Sequence, residues 1–209
     1  MERKYILYGG IIDFDPSFIP DEKASELFSL LKDNVSWELK YYTHRKTGAK
    51  YPQPRLTAWY ADNPNMEYSY SGVTQKVQAW TPQLLEIKSK IEAVTGVSYN
   101  SVLLNYYRDE NDSVGLHADD EKELGINANI ASVSLGFPRV FFLINYRAPK
   151  DKSICNTSES SDYCYDFYLS NGSLLVMSGT TQHYWKHEIP KSLTPAGGRI
   201  NLTFRKFYN

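Results

Sequence analysis

Cysteine is scarce in this sequence. There are two, Cys155 and Cys164, in one polar stretch and without Cys-x-x-Cys spacing. That excludes a disulfide-built scaffold and fits a reducing, cytoplasmic setting, or a nuclear one in a eukaryote, with a single loop disulfide left open. No apolar run approaches the length of a membrane span, and the opening MERKYILYGG lacks the apolar core of a signal peptide. Neither sign of charge dominates, since 23 Lys and Arg stand against 24 Asp and Glu. Binding to nucleic acid through overall charge is therefore excluded, and a local basic patch would have to do it. There is no internal repeat, low-complexity tract or linker that would divide the chain.

What is present is ordinary globular material. The 209 residues are 42% hydrophobic, enough for one self-sufficient core. Tyrosine is abundant at 17 residues, which suits Tyr-rich strands and equally a surface that stacks and hydrogen-bonds. One helix is predicted after Pro20-Asp21, with Asp21 as cap and Ala24, Leu27, Phe28 and Leu31 on its apolar face. A second has Thr81 as cap, Pro82 at its first position, an apolar face of Leu84, Ile87, Ile91 and Val94, and Gly96 at its end. After Gly96 the pattern turns to short strands: Val102–Tyr107, Ile130–Leu135, Val140–Tyr146, Ser173–Met177 and Arg199–Phe207. Polar residues 148–166 read as a long surface loop. Strands without intervening helices predict a sandwich or jelly roll, with the N-terminal helical part packed outside it.

Chemistry concentrates in two places. His117-Ala118-Asp119 sets an imidazole and a carboxylate on one side of an extended segment. With a second His they would form a facial triad for Fe(II), which leaves coordination positions open. His183 and His187 are the candidates. Alone, His-x-Asp is a weak signal, and a hydrogen-bonded histidine explains it as well. Downstream, Arg199, Asn201, Thr203 and Arg205 alternate with Ile200, Leu202 and Phe204. The apolar face should pack in the core. The polar face, with two guanidiniums, should meet something anionic such as an α-keto dicarboxylate.

These segments resemble the AlkB family of iron- and 2-oxoglutarate-dependent nucleic-acid demethylases. The resemblance is carried by Asn105-Tyr106-Tyr107, His117-Ala118-Asp119-Asp120-Glu121, residues 130–136 (IASVSLG), Trp185-Lys186-His187 and residues 199–205 (RINLTFR). Residues 54–60 (PRLTAWY) and 68–72 (YSYSG) also fit. It covers most of the chain and is closest to the eukaryotic-type DNA-repair branch and its bacterial relatives. It implies a mainly β fold with flanking helices, a double-stranded β-helix (jelly roll). An N-terminal helical and nucleotide-recognition extension over about 1–100 would precede a catalytic core over about 101–209, all in one domain.

The resemblance further implies Fe(II) on His117, Asp119 and His187, with His183 a neighbour of the site. It implies 2-oxoglutarate on Arg199 and Arg205, assisted by Asn105, Tyr107, Asn201 and Thr203. The implied reaction uses O2 to remove N-methyl groups as formaldehyde, with succinate as co-product. Its implied substrates are 1-methyladenine and 3-methylcytosine in direct-reversal repair. A base inside a duplex is out of reach, so the nucleotide must be unpaired or flipped. Tyr70 would stack on it opposite His117, with Tyr68 and Ser71 at the rim. Glu121 would lie near the cationic base, and Arg55 would also contact substrate.

Residues 40–55 carry Lys40, Arg45, Lys46, Lys50 and Arg55 against no acid, with His44 and several Tyr among them. Arg45, Lys46 and Lys50 would follow a phosphate backbone. The duplex-repairing enzymes have a bulky apolar wedge before the hairpin glycine, whereas Thr47-Gly48 stands here, and Thr is a poor wedge. The expected partner is thus alkylated single-stranded DNA or RNA, bound by a monomer without any membrane association. Three alternatives share parts of this pattern: an oxygenase acting on RNA modifications or on protein, a non-catalytic nucleic-acid-binding jelly roll, and a small-molecule-binding cupin.

Overall fold

A computed structural model describes residues 2–44, 46–66, 68–70, 73–146 and 163–208. The first half contains β1 (Arg3–Leu7), β2 (Gly10–Asp15), α1 (Asp21–Asn34), β3 (Glu38–Thr43), β4 (Lys50–Ala61), β5 (Tyr68–Tyr70), β6 (Val73–Gln75), β7 (Val77–Gln78) and α2 (Pro82–Thr95). The second half contains β8 (Ser101–Tyr107), β9 (Val114–His117), β10 (Ile130–Gly136), β11 (Arg139–Asn145) and β12 (Cys164–Leu169). It ends with β13 (Leu174–Ser178), the short helix α3 (Thr181–Tyr184), β14 (Trp185–Ile189) and β15 (Arg199–Arg205).

The strands form a large sheet in the order β1-β2-β13-β10-β15-β8-β4-β3, with β7 added beside β4. A smaller sheet runs β12-β11-β14-β9, and β5 pairs with β6. Except for β4 with β7, these pairings are antiparallel.

Strand alternation divides the core in two. On β15, Ile200, Leu202 and Phe204 face one cluster shared with Leu27 and Leu31 of α1 and Leu84, Ile87 and Ile91 of α2. Val102 and Leu104 of β8, Val133 of β10 and Val176 of β13 point the same way. The opposite faces meet the smaller sheet through Trp59, Leu103, Leu175 and Met177 against Phe141, Leu143, Phe167 and Ile189. The helices thus roof one face of the large sheet and leave the other for the gap between sheets. All seven residues of β15 are buried, including both arginines.

Several local expectations are corrected. Asp21 begins α1 without a side-chain cap bond, and instead its carboxylate and carbonyl accept from Asn171 at the β12–β13 turn. Thr81 does cap α2, accepting from the Leu84 N–H, and Gly96 ends it at φ 69°. Val94, expected on the apolar face of α2, is exposed, and the buried face is Leu84, Ile87 and Ile91. The expected surface loop ends earlier than its predicted boundary, since Cys164–Asp166 pair with β11 in the smaller sheet. The rest of that loop, with Cys155, lies outside the described residues.

The first hundred residues also hold more strand than the helical reading foresaw. β2 pairs with β13 and β4 with β8, so both belong to the same sheet as the downstream strands. Gly9, at φ 69°, closes the β1–β2 hairpin against Tyr184, whose ring an added Cβ would meet at 2.5 Å.

Candidate metal and co-substrate site

The gap between the two sheets holds one cleft. His117 ends β9, and His187 lies directly opposite it on β14. Their rings are 4.3 Å apart between centroids. Asp119 follows two residues later, with Oδ1 3.8 Å from His117 Nε2. Donor atoms of all three lie within 4.8 Å of one another.

Each side chain has a separate support. His117 Nδ1 is 2.7 Å from the Gly115 carbonyl, which makes Nδ1 the donor and leaves Nε2 as the lone-pair nitrogen facing the cleft. His187 stacks on Phe141 at 5.2 Å and 20°. Asp119 Oδ2 accepts from Arg205 Nη2 at 2.8 Å, and its backbone N–H donates to Gln182 Oε1 at 2.9 Å.

Burial presses the His187 pKa down to about 3, with repulsion from His117 and Arg205 adding and Asp119 opposing. Burial also lowers His117, against the pull of Asp119. Burial alone would raise Asp119, but the Arg205 guanidinium and then the two imidazoles hold it down at about 2. At neutral pH the trio is two neutral imidazoles and one carboxylate, the state in which these groups ligate. Asp119 Oδ1 and His187 Nδ1 are buried with no hydrogen-bond partner among the described residues. A divalent iron fits this donor set, with positions to spare.

Around the triad lies a polar floor. Asn201 Nδ2 donates to Ser132 Oγ at 2.7 Å, and Thr203 Oγ1 donates to Asn201 Oδ1 at 2.7 Å. Arg55 Nε donates to Asn105 Oδ1 at 2.9 Å. Arg199 is 1% exposed and spends one nitrogen on Ser134 Oγ at 2.9 Å, while its Nε and Nη1 have no hydrogen-bond partner among the described residues. It sits 5.2 Å over the Tyr107 ring, whose other neighbour is Arg139 at 5.9 Å. Burial lowers Arg199 to about 10, Tyr107 opposing and Arg139 adding, so it stays cationic. A fully buried cation with two idle donors calls for an anion.

The structure therefore brings His117, Asp119, His187, Asn105, Tyr107, Arg199, Asn201, Thr203 and Arg205 to one cleft, together with Arg55. Arg55, expected at the substrate, lines the cleft and is bonded there to Asn105. Glu121 does not line this cleft. It stands at the start of a 3₁₀ turn over Lys122–Leu124, where its carbonyl accepts from Leu124. His183 contacts the Ile126 carbonyl through Nε2 and does not line the cleft.

Lys46 and Lys50 are exposed around the β3–β4 turn, beside a Tyr42–Tyr51 stack at 5.7 Å. Arg45, Ser71 and the side chains of Tyr68 and Tyr70 lie outside the described residues.

Four contributors were missed from the sequence. Ser132 and Ser134 alternate with apolar residues in β10, a visible signal that their partners Asn201 and Arg199 complete. Gln182 and Arg139 carry no local signal, because what they bind is distant in sequence. Arg139 donates to the carbonyls of Asp109 and Asp112 at 3.2 and 3.0 Å and also to that of Pro190.

Comparison with known proteins shows the family of the chain. Residues 14–205 match the family described as the 2OG-Fe(II) oxygenase superfamily. An alpha-ketoglutarate-dependent dioxygenase alkB homolog 3 from Bos taurus is 41% identical over 198 residues, covering 92% of this chain and 65% of that protein. The DNA oxidative demethylase ALKBH2 of Mus musculus is 35% identical over 189 residues, covering 88% of this chain and 75% of that protein. The chain spans just under two thirds of the length of the alkB homolog 3 relatives. The solved chain titled "The structure of OsALKBH1" superposes with a TM-score of 0.60 at 17% identity, covering 97% of this chain and 100% of that one, a likeness of fold.

Proposed function

Because this chain belongs to the 2OG-Fe(II) oxygenase superfamily, with relatives of the AlkB kind, we propose that it is an oxidative demethylase of N-alkylated bases in nucleic acid. It acts on 1-methyladenine and 3-methylcytosine with Fe(II), O2 and 2-oxoglutarate, releases formaldehyde and succinate, and so reverses alkylation damage. The observation that carries the reading is the shared cleft: a His-Asp-His donor set beside a buried guanidinium with two unspent donors.

His117, Asp119 and His187 would hold the iron, and Arg199 and Arg205 the two carboxylates of 2-oxoglutarate. The iron and its co-substrate, when bound, supply the oxidation that turns an inert N-methyl group into one that leaves. The protein supplies the rest. Asn105, Asn201 and Thr203 form a hydrogen-bonded floor that orients the co-substrate between the cations, with Arg55 holding Asn105. Tyr107 presents a ring face to Arg199 and keeps its charge directed into the cleft. The apolar walls Leu103, Phe141 and Ile189 limit water around the reacting centre.

For the nucleic acid, Tyr70 and the His117 ring stack the target base, with Tyr68 and Ser71 at the rim and Glu121 near its positive charge. Arg45, Lys46 and Lys50 follow the backbone, and the exposed Tyr42–Tyr51 stack offers neighbouring bases a flat surface. Thr47 is tied back to His44 Nδ1 at 3.0 Å and puts no apolar bulk at the hairpin tip, which favours single strands. The enzyme works as a monomer on DNA or RNA, in the cytoplasm or in the nucleus of a eukaryote. No described helix is long and apolar enough to cross a membrane.

The test is formaldehyde release from methylated oligonucleotides with Fe(II), ascorbate and 2-oxoglutarate, single-stranded and annealed, against a control without 2-oxoglutarate. Co-substrate-dependent release, faster on single strands, is expected. Faster turnover of the annealed form refutes the strand preference. Succinate without formaldehyde points to an oxygenase of another substrate, such as protein, and neither product to a binding module.

A further inference from the structure

We infer that Gln182 is a positioning residue of the metal site, fixing the backbone of Asp119 so that its carboxylate meets the two histidines. The inference rests on the reading of His117, Asp119 and His187 as metal ligands. β9 ends at His117, so Asp119 lies beyond the ladder that aligns His117 with His187. Its position therefore depends on contacts outside the sheet.

Two are shown. Arg205 holds the carboxylate from the large sheet, and Gln182 Oε1 accepts the Asp119 amide at 2.9 Å in a buried setting. Gln182 is 4% exposed, and its amide nitrogen is satisfied 3.4 Å from Met177 Sδ. The oxygen is thereby assigned to the Asp119 side, since a reversed amide would place a donor against a donor.

What makes Gln182 more than a filled hydrogen bond is its own anchorage. It sits on α3, immediately after Thr181, whose Oγ1 accepts from the Ile11 N–H at 3.0 Å and donates to the Ser178 carbonyl. On the other side, Trp185 is buried and its Nε1 donates to the Tyr8 carbonyl at 2.9 Å. α3 is therefore clamped to the β1–β2 hairpin and leads directly into β14, which carries His187. Through Gln182, one rigid segment sets the positions of two ligands that lie far apart in sequence. Contacts of this kind behind a metal ligand change affinity by about 10- to 100-fold when removed.

The experiment is a titration of the metal-free full chain with Co(II), followed by visible absorption well below the melting temperature, so that lost stability does not enter the affinity. Gln182→Met keeps length and volume but offers the amide only a weak thioether acceptor in place of the oxygen. Gln182→Asn stays polar but falls one methylene short. Both should weaken Co(II) binding by about 10- to 100-fold and alter its absorption bands. Gln182→Glu, which restores an acceptor oxygen, should recover most of the affinity. Either of the first two variants, folded and binding Co(II) as the parent does, overturns the inference. So does a Gln182→Glu that loses as much as Gln182→Met. His187→Ala is the control for the metal site: unchanged Co(II) binding there overturns the triad and this assignment with it, whereas a parental Gln182→Met beside a defective His187→Ala overturns the assignment alone.

Discussion

Arg199→Met separates binding from stability in this fold. The Arg199 guanidinium is buried, and its Nε and Nη1 have no hydrogen-bond partner among the described residues. Two idle buried donors cost about 2–6 kcal/mol together. Against that stand one charged hydrogen bond to Ser134, worth about 1.5–3 kcal/mol, and a desolvated cation–π contact with Tyr107, worth about 2. The terms nearly cancel, so methionine of similar length should leave ligand-free stability within about 2 kcal/mol of the parent in urea unfolding. Binding of 2-oxoglutarate is different. Losing two charge-assisted bonds of about 1.5–3 kcal/mol each weakens it by roughly 10²- to 10⁴-fold. Calorimetric titration of 2-oxoglutarate into the Co(II)-loaded protein reads this directly. A variant that binds within about tenfold of the parent, or one destabilised by more than about 3 kcal/mol, would show that Arg199 serves the fold rather than the anion.

Other substitutions test neighbouring parts of the cleft. Asp119→Ala should abolish turnover and Co(II) binding. It also breaks one side of a buried ion pair with Arg205, and about 3–5 kcal/mol should be lost in urea unfolding; unchanged turnover would refute the triad. Arg205→Lys should weaken 2-oxoglutarate binding, because an ammonium lacks the planar fork, and an unchanged apparent affinity removes Arg205 from that site. Arg139→Ala takes a charged donor from the Asp109, Asp112 and Pro190 carbonyls and should cost about 2–4 kcal/mol, and a neutral result in urea unfolding would deny that bracing role. The His187 pKa is depressed from 6.5 to about 3, so the unfolded chain takes up the proton first as pH falls. That contribution to metal-free stability is complete above pH 6.5 and is lost progressively toward about 3. His187→Asn should flatten the decline in stability between roughly pH 7 and 5, and an identical slope in both proteins counts against it.

Much of the site was legible because its information is local. Alternation in a strand has period two, so Arg199, Asn201, Thr203 and Arg205 had to share a face wherever β15 lay. The same rule put His117 and Asp119 on one side, but β9 ends at His117, and contacts with Gln182 and Arg205 beyond the ladder place Asp119. The choice between His183 and His187 was not local. It came with the family resemblance, and the structure gives its reason: His187 pairs across the ladder with His117, while His183 turns to the Ile126 carbonyl. The first hairpin was missed although its signal was present, in two short apolar runs, Tyr5–Tyr8 and Ile11–Ile12, on either side of Gly9-Gly10. Helix-weighted reading of the N-terminal region hid it.

The sequence by itself determined which face of β15 is polar and where α2 begins and ends. Each depends on side chains within a few positions of one another. Only the tertiary structure decided that the polar faces turn away from α1 and α2 toward a second sheet, and that β2 and β4 complete the large one. It alone also placed Gln182 behind Asp119 and Arg139 behind Tyr107. Those arrangements depend on the order and register of strands distant in the chain, set by which apolar faces bury best against each other, and no local periodicity encodes that choice.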